Sequence, residues 1–282
     1  MSGREKITLA TLLERKRTKH KFAVLTCYDY THALIEEQAG VDAILVGDSA
    51  AQVILGHTTT LPATMDFLVT LAAAVRRGAP GAFLIGDMPY LSYHVTVEDA
   101  IRNAGRFMAE AGCDAIKVEV DGSMTATIEA LARASIPVCA HLGLRPQAVH
   151  LAGGYRAQAR DAESARRLIA DAKAVERAGA CLLLLEAVPP EPAQIIAEGT
   201  PLPVIGCGAG PACDGQVVVL HDMLGLTNGA APRFVKRYAD MHAAMSLAVG
   251  NYMADIRSGA YPAAEHCYSM AAGEAARLRD GT

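Results

Sequence analysis

Four apolar runs in this chain each close on an acid: residues 41–48, 82–87, 114–119 and 181–186 end at Asp48, Asp87, Glu119 and Glu186. A continuous apolar run, preceded by a helical pattern and a glycine, reads as a parallel strand buried on both faces, so each acid is expected at a strand's carboxyl end. That end is where α/β folds keep their chemistry. Four carboxylates at one mouth repel one another too strongly to stay ionised without a counter-charge, which calls for a divalent cation or a proton among them. Any one of the acids could simply cap the following helix; the repetition argues for a shared site.

An all-oxygen set without a His-Cys partner set points to magnesium rather than zinc. Magnesium shares its coordination with substrate, and a 2-oxo acid chelating through carboxylate and keto oxygens is a natural guest. A metal on the keto oxygen acidifies the adjacent carbon, which leaves a base to be found. Glu186, in Leu185-Glu186-Ala187-Val188-Pro189, is the outlying acid, and its apolar surroundings are expected to lift its pKa towards the working pH.

Lys117 lies two residues before Glu119, so a strand points both side chains to the same face. A lysine in so apolar a run needs pairing, with the acids or an anionic substrate; a structural ion pair is the plainer alternative. His141, closing the run 137–142, either hydrogen-bonds an intermediate or cofactor or is a satisfied core histidine. His57, His221 and His266 carry little functional weight. The glycine-rich stretch 206–211 lacks Walker spacing and a following lysine, so it reads as a loop with unusual backbone angles. Gly153-Gly154-Tyr155-Arg156 reads as a mobile lid or as an ordinary surface turn.

Apolar runs place strands near 22–26, 42–47, 82–86, 114–118, 137–142, 181–185, 203–207 and 218–222. Helical periodicity places helices near 30–39, 65–77, 97–111, 123–134, 162–178 and 190–198, a short turn near 212–216 and a long segment over 233–257. Two helices carry clear start signals, Thr96 with Asp99 three residues on and Asp161, followed by apolar stripes that stop at Gly112 and Gly179. Eight strand–helix units over roughly 250 residues is the count of a (β/α)8 TIM barrel, an α/β fold with its site on the βα loops. A doubly wound open sheet is the alternative. One domain over 1–282 is the economical reading, with an extra N-terminal helix over 7–19 plugging the barrel's amino end. The tail after Pro262 reads as packing or oligomer contact, ending in a charged helical piece.

With 282 residues, 51% of them hydrophobic, the chain can bury a large core. Its apolar runs fall far short of the roughly 20 residues a membrane span needs. The charged stretch 1–21 does not read as a signal peptide, so the cytoplasm is the expected compartment. Seven scattered cysteines without a CxxC pair read as buried thiols rather than a disulfide framework. A net charge of −4, no basic stripe and few aromatics argue against nucleic-acid binding and for small-molecule substrates.

Leu45-Val46-Gly47-Asp48-Ser49, Gly56-His57-Thr58-Thr59-Thr60-Leu61-Pro62, Ala74-Val75-Arg76-Arg77-Gly78-Ala79-Pro80, His141 to Gln147, Gly153-Gly154-Tyr155, Leu185 to Pro189, Asp214-Gly215-Gln216 with His221-Asp222, and Tyr261 to His266 run in order through nearly the whole chain. Together they resemble the ketopantoate hydroxymethyltransferase family. The resemblance implies a (β/α)8 barrel that binds Mg2+ through Asp48, Asp87 and Glu119. It implies oxo-acid contacts from Asp48, Ser49, Asp87 and Lys117, with Glu186 as proton acceptor. The implied reaction is attack of the enolate of 3-methyl-2-oxobutanoate on the one-carbon unit of 5,10-methylenetetrahydrofolate, giving 2-dehydropantoate for coenzyme A synthesis. The implied assembly is a homo-oligomer, a decamer of two five-membered rings. Ala140, Arg156, Ala159 and Leu71 stand where the family usually carries Gly, Lys, Gly and His. A magnesium-dependent oxo-acid lyase or mutase on a similar barrel is the competing reading, although the Lys-Lys-Cys-Gly-His run of such lyases is not in this chain.

Overall fold

The computed structural model describes residues 4–227 and 231–280. Eight parallel strands, β1 (Phe22–Thr26), β2 (Ala43–Val46), β3 (Phe83–Asp87), β4 (Ala115–Glu119), β5 (Val138–Gly143), β6 (Leu182–Glu186), β7 (Val204–Cys207) and β8 (Gly215–Val218), pair in chain order. β8 returns to pair with β1 and closes the barrel. α1 (Leu9–Thr18) precedes β1, and between the strands run α2 (Tyr30–Ala39), α3 (Ala50–Val53), α4 (Met65–Gly78), α5 (Val97–Ala109), α6 (Thr125–Arg133), α7 (Val149–Ala152), α8 (Ala162–Arg177) and α9 (Pro190–Gly199). After β8 come α10 (Leu220–Met223), α11 (Met241–Ser258) and α12 (Glu274–Asp280). The closed barrel excludes the doubly wound alternative.

Local chemistry starts the helices where side chains can take up the free N–H groups. Thr96 accepts from the Asp99 amide to cap α5, and Asp161 accepts from Glu163 and Ser164 to cap α8. The buried apolar residues of α8, Leu168, Ala172 and Val175, then face the sheet.

Two cores result from strand alternation. Ile44, Leu84, Ile116, Val118, Leu183 and Val204 point outwards against the helices, whereas Phe22, Val24, Leu45, Phe83, Ile85 and Leu184 fill the barrel. Continuing the inward-facing parity by two residues on β3, β4, β5 and β6 brings up Asp87, Lys117, Glu119, His141 and Glu186. One inward face thus changes from hydrocarbon to charge as the strands approach their carboxyl ends.

α1 seals the opposite end, as the sequence predicts. Leu12 is fully buried in the interior cluster, and ion pairs from Arg15 to Asp42 (2.7 Å) and from Lys16 to Asp214 (2.8 Å) fasten the helix to the starts of β2 and β8.

The last unit departs from expectation. The eighth strand is Gly215–Val218 rather than 218–222, and residues from Leu220 onward turn helical. Gly215 is required where β8 passes the Phe22 ring, since a Cβ there would collide with it, so the strand begins at a residue that reads as a turn. Leu220 then donates its amide to Thr26 Oγ1 (3.1 Å). The long helix starts at Met241, not 233, with Asp240 as its cap. No residue of α11 is buried, and Leu247, Val249 and Tyr252 are more than half exposed. Among the described residues no helix is long and apolar enough to cross a membrane.

Candidate active site

The carboxyl ends of the strands surround a cavity of about 670 Å³ whose lining includes Asp48, Ser49, Asp87, Lys117, His141 and Glu186. Asp87, Glu119 and Glu186 are the last residues of β3, β4 and β6, and Asp48 lies two residues beyond β2. The Asp48 amide donates to Asp87 Oδ2 (2.9 Å), tying the two acids together. Gly47 makes this turn possible, because a Cβ there would stand 2.8 Å from Ser49 Oγ. Ser49 Oγ is in turn 2.8 Å from the Tyr28 hydroxyl.

Lys117 sits among these acids, its Nζ 2.7 Å from Asp87 Oδ1 and 3.3 Å from His141 Nδ1. Burial opposes its charge, yet Asp87, Glu119 and Asp48 outweigh that and hold its pKa well above the usual lysine value. Burial likewise pushes the carboxyls of Asp87 and Glu119 upwards, with the Lys117 charge pulling both back down.

An ammonium group has only donors, so His141 Nδ1 must accept and the ring proton belongs on Nε2. Burial and the Lys117 charge lower the His141 pKa, keeping the ring neutral. Its Nε2 stands 3.3 Å from Glu186 Oε2, a close approach outside hydrogen-bond alignment. Lys117, His141 and Glu186 therefore form one polar line from the acid cluster to the fourth carboxylate. Glu186 is itself positioned by its backbone: Leu144 donates to its carbonyl (2.9 Å), and Ala187 after it adopts a left-handed φ of 49°.

The acids also fit the cation expected from the sequence. Glu119 Oε1 is buried without a hydrogen bond, and Asp87 Oδ1 meets Lys117 as an ion pair outside hydrogen-bond alignment. Among the described residues no group of three or more His, Cys, Asp and Glu side chains is arranged so that together they could hold a metal ion. Magnesium does not require such a set: it keeps several waters, so one or two of these carboxylates can reach it directly and the other through water, with substrate supplying further oxygens.

Other candidates fall outside this centre. His57 and His266 are exposed and line no part of the cavity; His221 packs 5.4 Å from the Tyr28 ring. Gly208 and Gly210 have the positive φ expected of the 206–211 stretch, and the Phe234 ring lies where a Cβ on Gly208 would be. Tyr155 and Arg156 line the cavity after Gly153 and Gly154, both with positive φ. The cysteines are free, but Cys267 is exposed and Cys181 and Cys207 only partly covered, a correction to the expectation of seven buried thiols. Tyr28, Tyr93 and Gln147 were not singled out by the sequence, because a polar residue in a βα loop carries no periodic signal.

A sequence model of ketopantoate hydroxymethyltransferase matches residues 6–264. The chain belongs to the ketopantoate hydroxymethyltransferase family. It is 48% identical over 265 residues to 3-methyl-2-oxobutanoate hydroxymethyltransferase of Alkalilimnicola ehrlichii, covering 94% of this chain and 95% of that protein. The enzyme of the same name from Syntrophomonas wolfei is 44% identical, with 94% and 96% covered. The activity of this hydroxymethyltransferase is accordingly transfer of a hydroxymethyl group to 3-methyl-2-oxobutanoate. Among solved structures, phosphonopyruvate hydrolase in complex with oxalate and Mg++ superposes with a TM-score of 0.61 at 15% identity, over 97% of this chain and 98% of that one. 2,3-Dimethylmalate lyase gives 0.61 at 18% identity, over 88% and 87%. That likeness is one of fold and does not support the lyase reading. Of the four departures from the family pattern, Ala159 has a left-handed φ of 55°, a conformation that glycine adopts at no cost.

Proposed function

We propose that the enzyme binds Mg2+ through Asp48, Asp87 and Glu119, and that Glu186 removes the C3 proton of 3-methyl-2-oxobutanoate. The observation that carries this reading is the polar line from Asp87 through Lys117 and His141 to Glu186, which ends on a cavity-facing carboxylate. The cation, when bound, draws electron density from the keto oxygen and so acidifies C3. Ser49, Asp87 and Lys117 hold the oxo acid, with the Lys117 ammonium facing its negative charge. His141 turns Nε2 towards the Glu186 carboxylate, 3.3 Å away. The methylene bridge of 5,10-methylenetetrahydrofolate opens at one C–N bond to an iminium, which takes up water and breaks the second C–N bond, releasing tetrahydrofolate and a one-carbon unit at the formaldehyde level; deprotonated C3 attacks that carbon, and its oxygen takes up a proton to give 2-dehydropantoate.

The whole chain acts as one catalytic domain. Its free thiols suit the cytoplasm. A homo-oligomer, a decamer of two rings, fits the uncovered apolar surface of α11. The deciding experiment follows exchange of the C3 hydrogen by NMR in heavy water, with magnesium and 3-methyl-2-oxobutanoate, with and without tetrahydrofolate. Exchange is expected in the wild type and is expected to fall at least about 100-fold in Glu186→Gln and on chelation. Undiminished exchange in Glu186→Gln rejects this residue as the base.

A further inference from the structure

We infer that Gln147 and Tyr93 are positioning residues that aim the Asp48 and Glu119 carboxylates, an inference that rests on the metal reading above. Gln147 lies in the turn after β5 and is only 6% exposed; Tyr93, after β3, is 1% exposed. The Gln147 amide nitrogen donates to Asp48 Oδ2 (3.0 Å) and to the Met88 carbonyl (2.9 Å), and its backbone N–H donates to Glu119 Oε2 (2.9 Å). One residue thus grips one oxygen on each of two acids that lie 99 and 28 positions away in the chain.

The amide cannot be turned round. Its nitrogen faces two groups that only accept, a carboxylate and a carbonyl, so Oε1 must point the other way, where the Tyr93 hydroxyl donates to it (2.8 Å). That same hydroxyl accepts from the Glu119 amide (3.0 Å), which fixes the carboxyl end of β4 as well as the orientation of Gln147. Every hydrogen-bonding group of the Gln147 side chain is engaged. With Oε2 held by the Gln147 backbone, Glu119 Oε1 is left as the buried oxygen without a hydrogen bond. Such groups behind the ligands raise metal affinity by removing the alternatives a carboxylate would otherwise sample.

The test uses the full-length enzyme and manganese(II) alone as probe, followed by electron paramagnetic resonance, with thermal unfolding of each variant recorded alongside. Gln147→Met keeps the volume and loses the amide; it is expected to weaken manganese binding about 10–100-fold. Tyr93→Phe removes one oxygen and is expected to weaken it about 3–10-fold, a graded effect of the same kind. Because both act through one network, the double variant should bind no worse than Gln147→Met alone. Unaltered affinity in folded Gln147→Met, or in Tyr93→Phe should the former not fold, overturns the positioning role while leaving the metal site standing. No manganese binding by the wild type overturns the metal reading, and this inference with it.

Discussion

Lys117 lets three acids be buried side by side. Without it, and without a cation, Asp48, Asp87 and Glu119 would share a buried barrel end with repulsions that proton uptake must relieve. Removing one partner of a buried pair leaves the other uncompensated, so Lys117→Met is expected to cost about 3–5 kcal/mol in metal-free protein. Urea unfolding at neutral pH measures that loss, and added magnesium should return part of it by supplying the missing positive charge. The acids and the lysine were legible in the sequence because each closes or interrupts an apolar run. His141 was legible only as a strand-end histidine with two readings. Its place between Lys117 and Glu186 depends on the register of β4, β5 and β6, which composition does not encode.

At the scale of elements, seven of the strands lie close to their apolar runs, while β8 was displaced because a tight crossing at Gly215 looks like a turn. Short helices such as α3 and α7 are too brief for a 3.6-residue period to register. α2 holds an acid that patterning did not mark: Glu36 is 3% exposed, with neither carboxylate oxygen hydrogen-bonded. Burial raises its pKa to about 8, a shift the Cys27 thiol offsets in part and the Asp29 charge reinforces. A folded pKa above the unfolded value near 4.5 means that the proton on Glu36 favours the fold. That contribution is complete below the unfolded value and is lost as pH climbs to about 8. Glu36→Gln cannot titrate, so wild type should lose stability relative to it by up to about 1.4 kcal/mol per pH unit across this window. Denaturant unfolding at pH 5, 6, 7 and 8 reads the difference; parallel profiles would show that Glu36 is not protonated in the fold.

The whole molecule presents two contrasting ends of chain. α1 is tucked under the barrel, whereas α11 leaves Met245, Leu247, Tyr252 and Ile256 largely exposed among the described residues. Monomers seldom leave so much apolar area to water. Met245→Glu with Tyr252→Glu is expected to lower the assembly order seen by light scattering while leaving the barrel's circular dichroism intact. The tucked end has a consequence for traffic. Leu12 and the packed hydrocarbon above it close the floor, and the cavity lies at the opposite, carboxyl end of the strands. If the oxo acid rests on the acids as proposed above, a second guest lying over it would stand between it and the opening, so the oxo acid would be expected to enter first and leave last; product-inhibition kinetics would read that order.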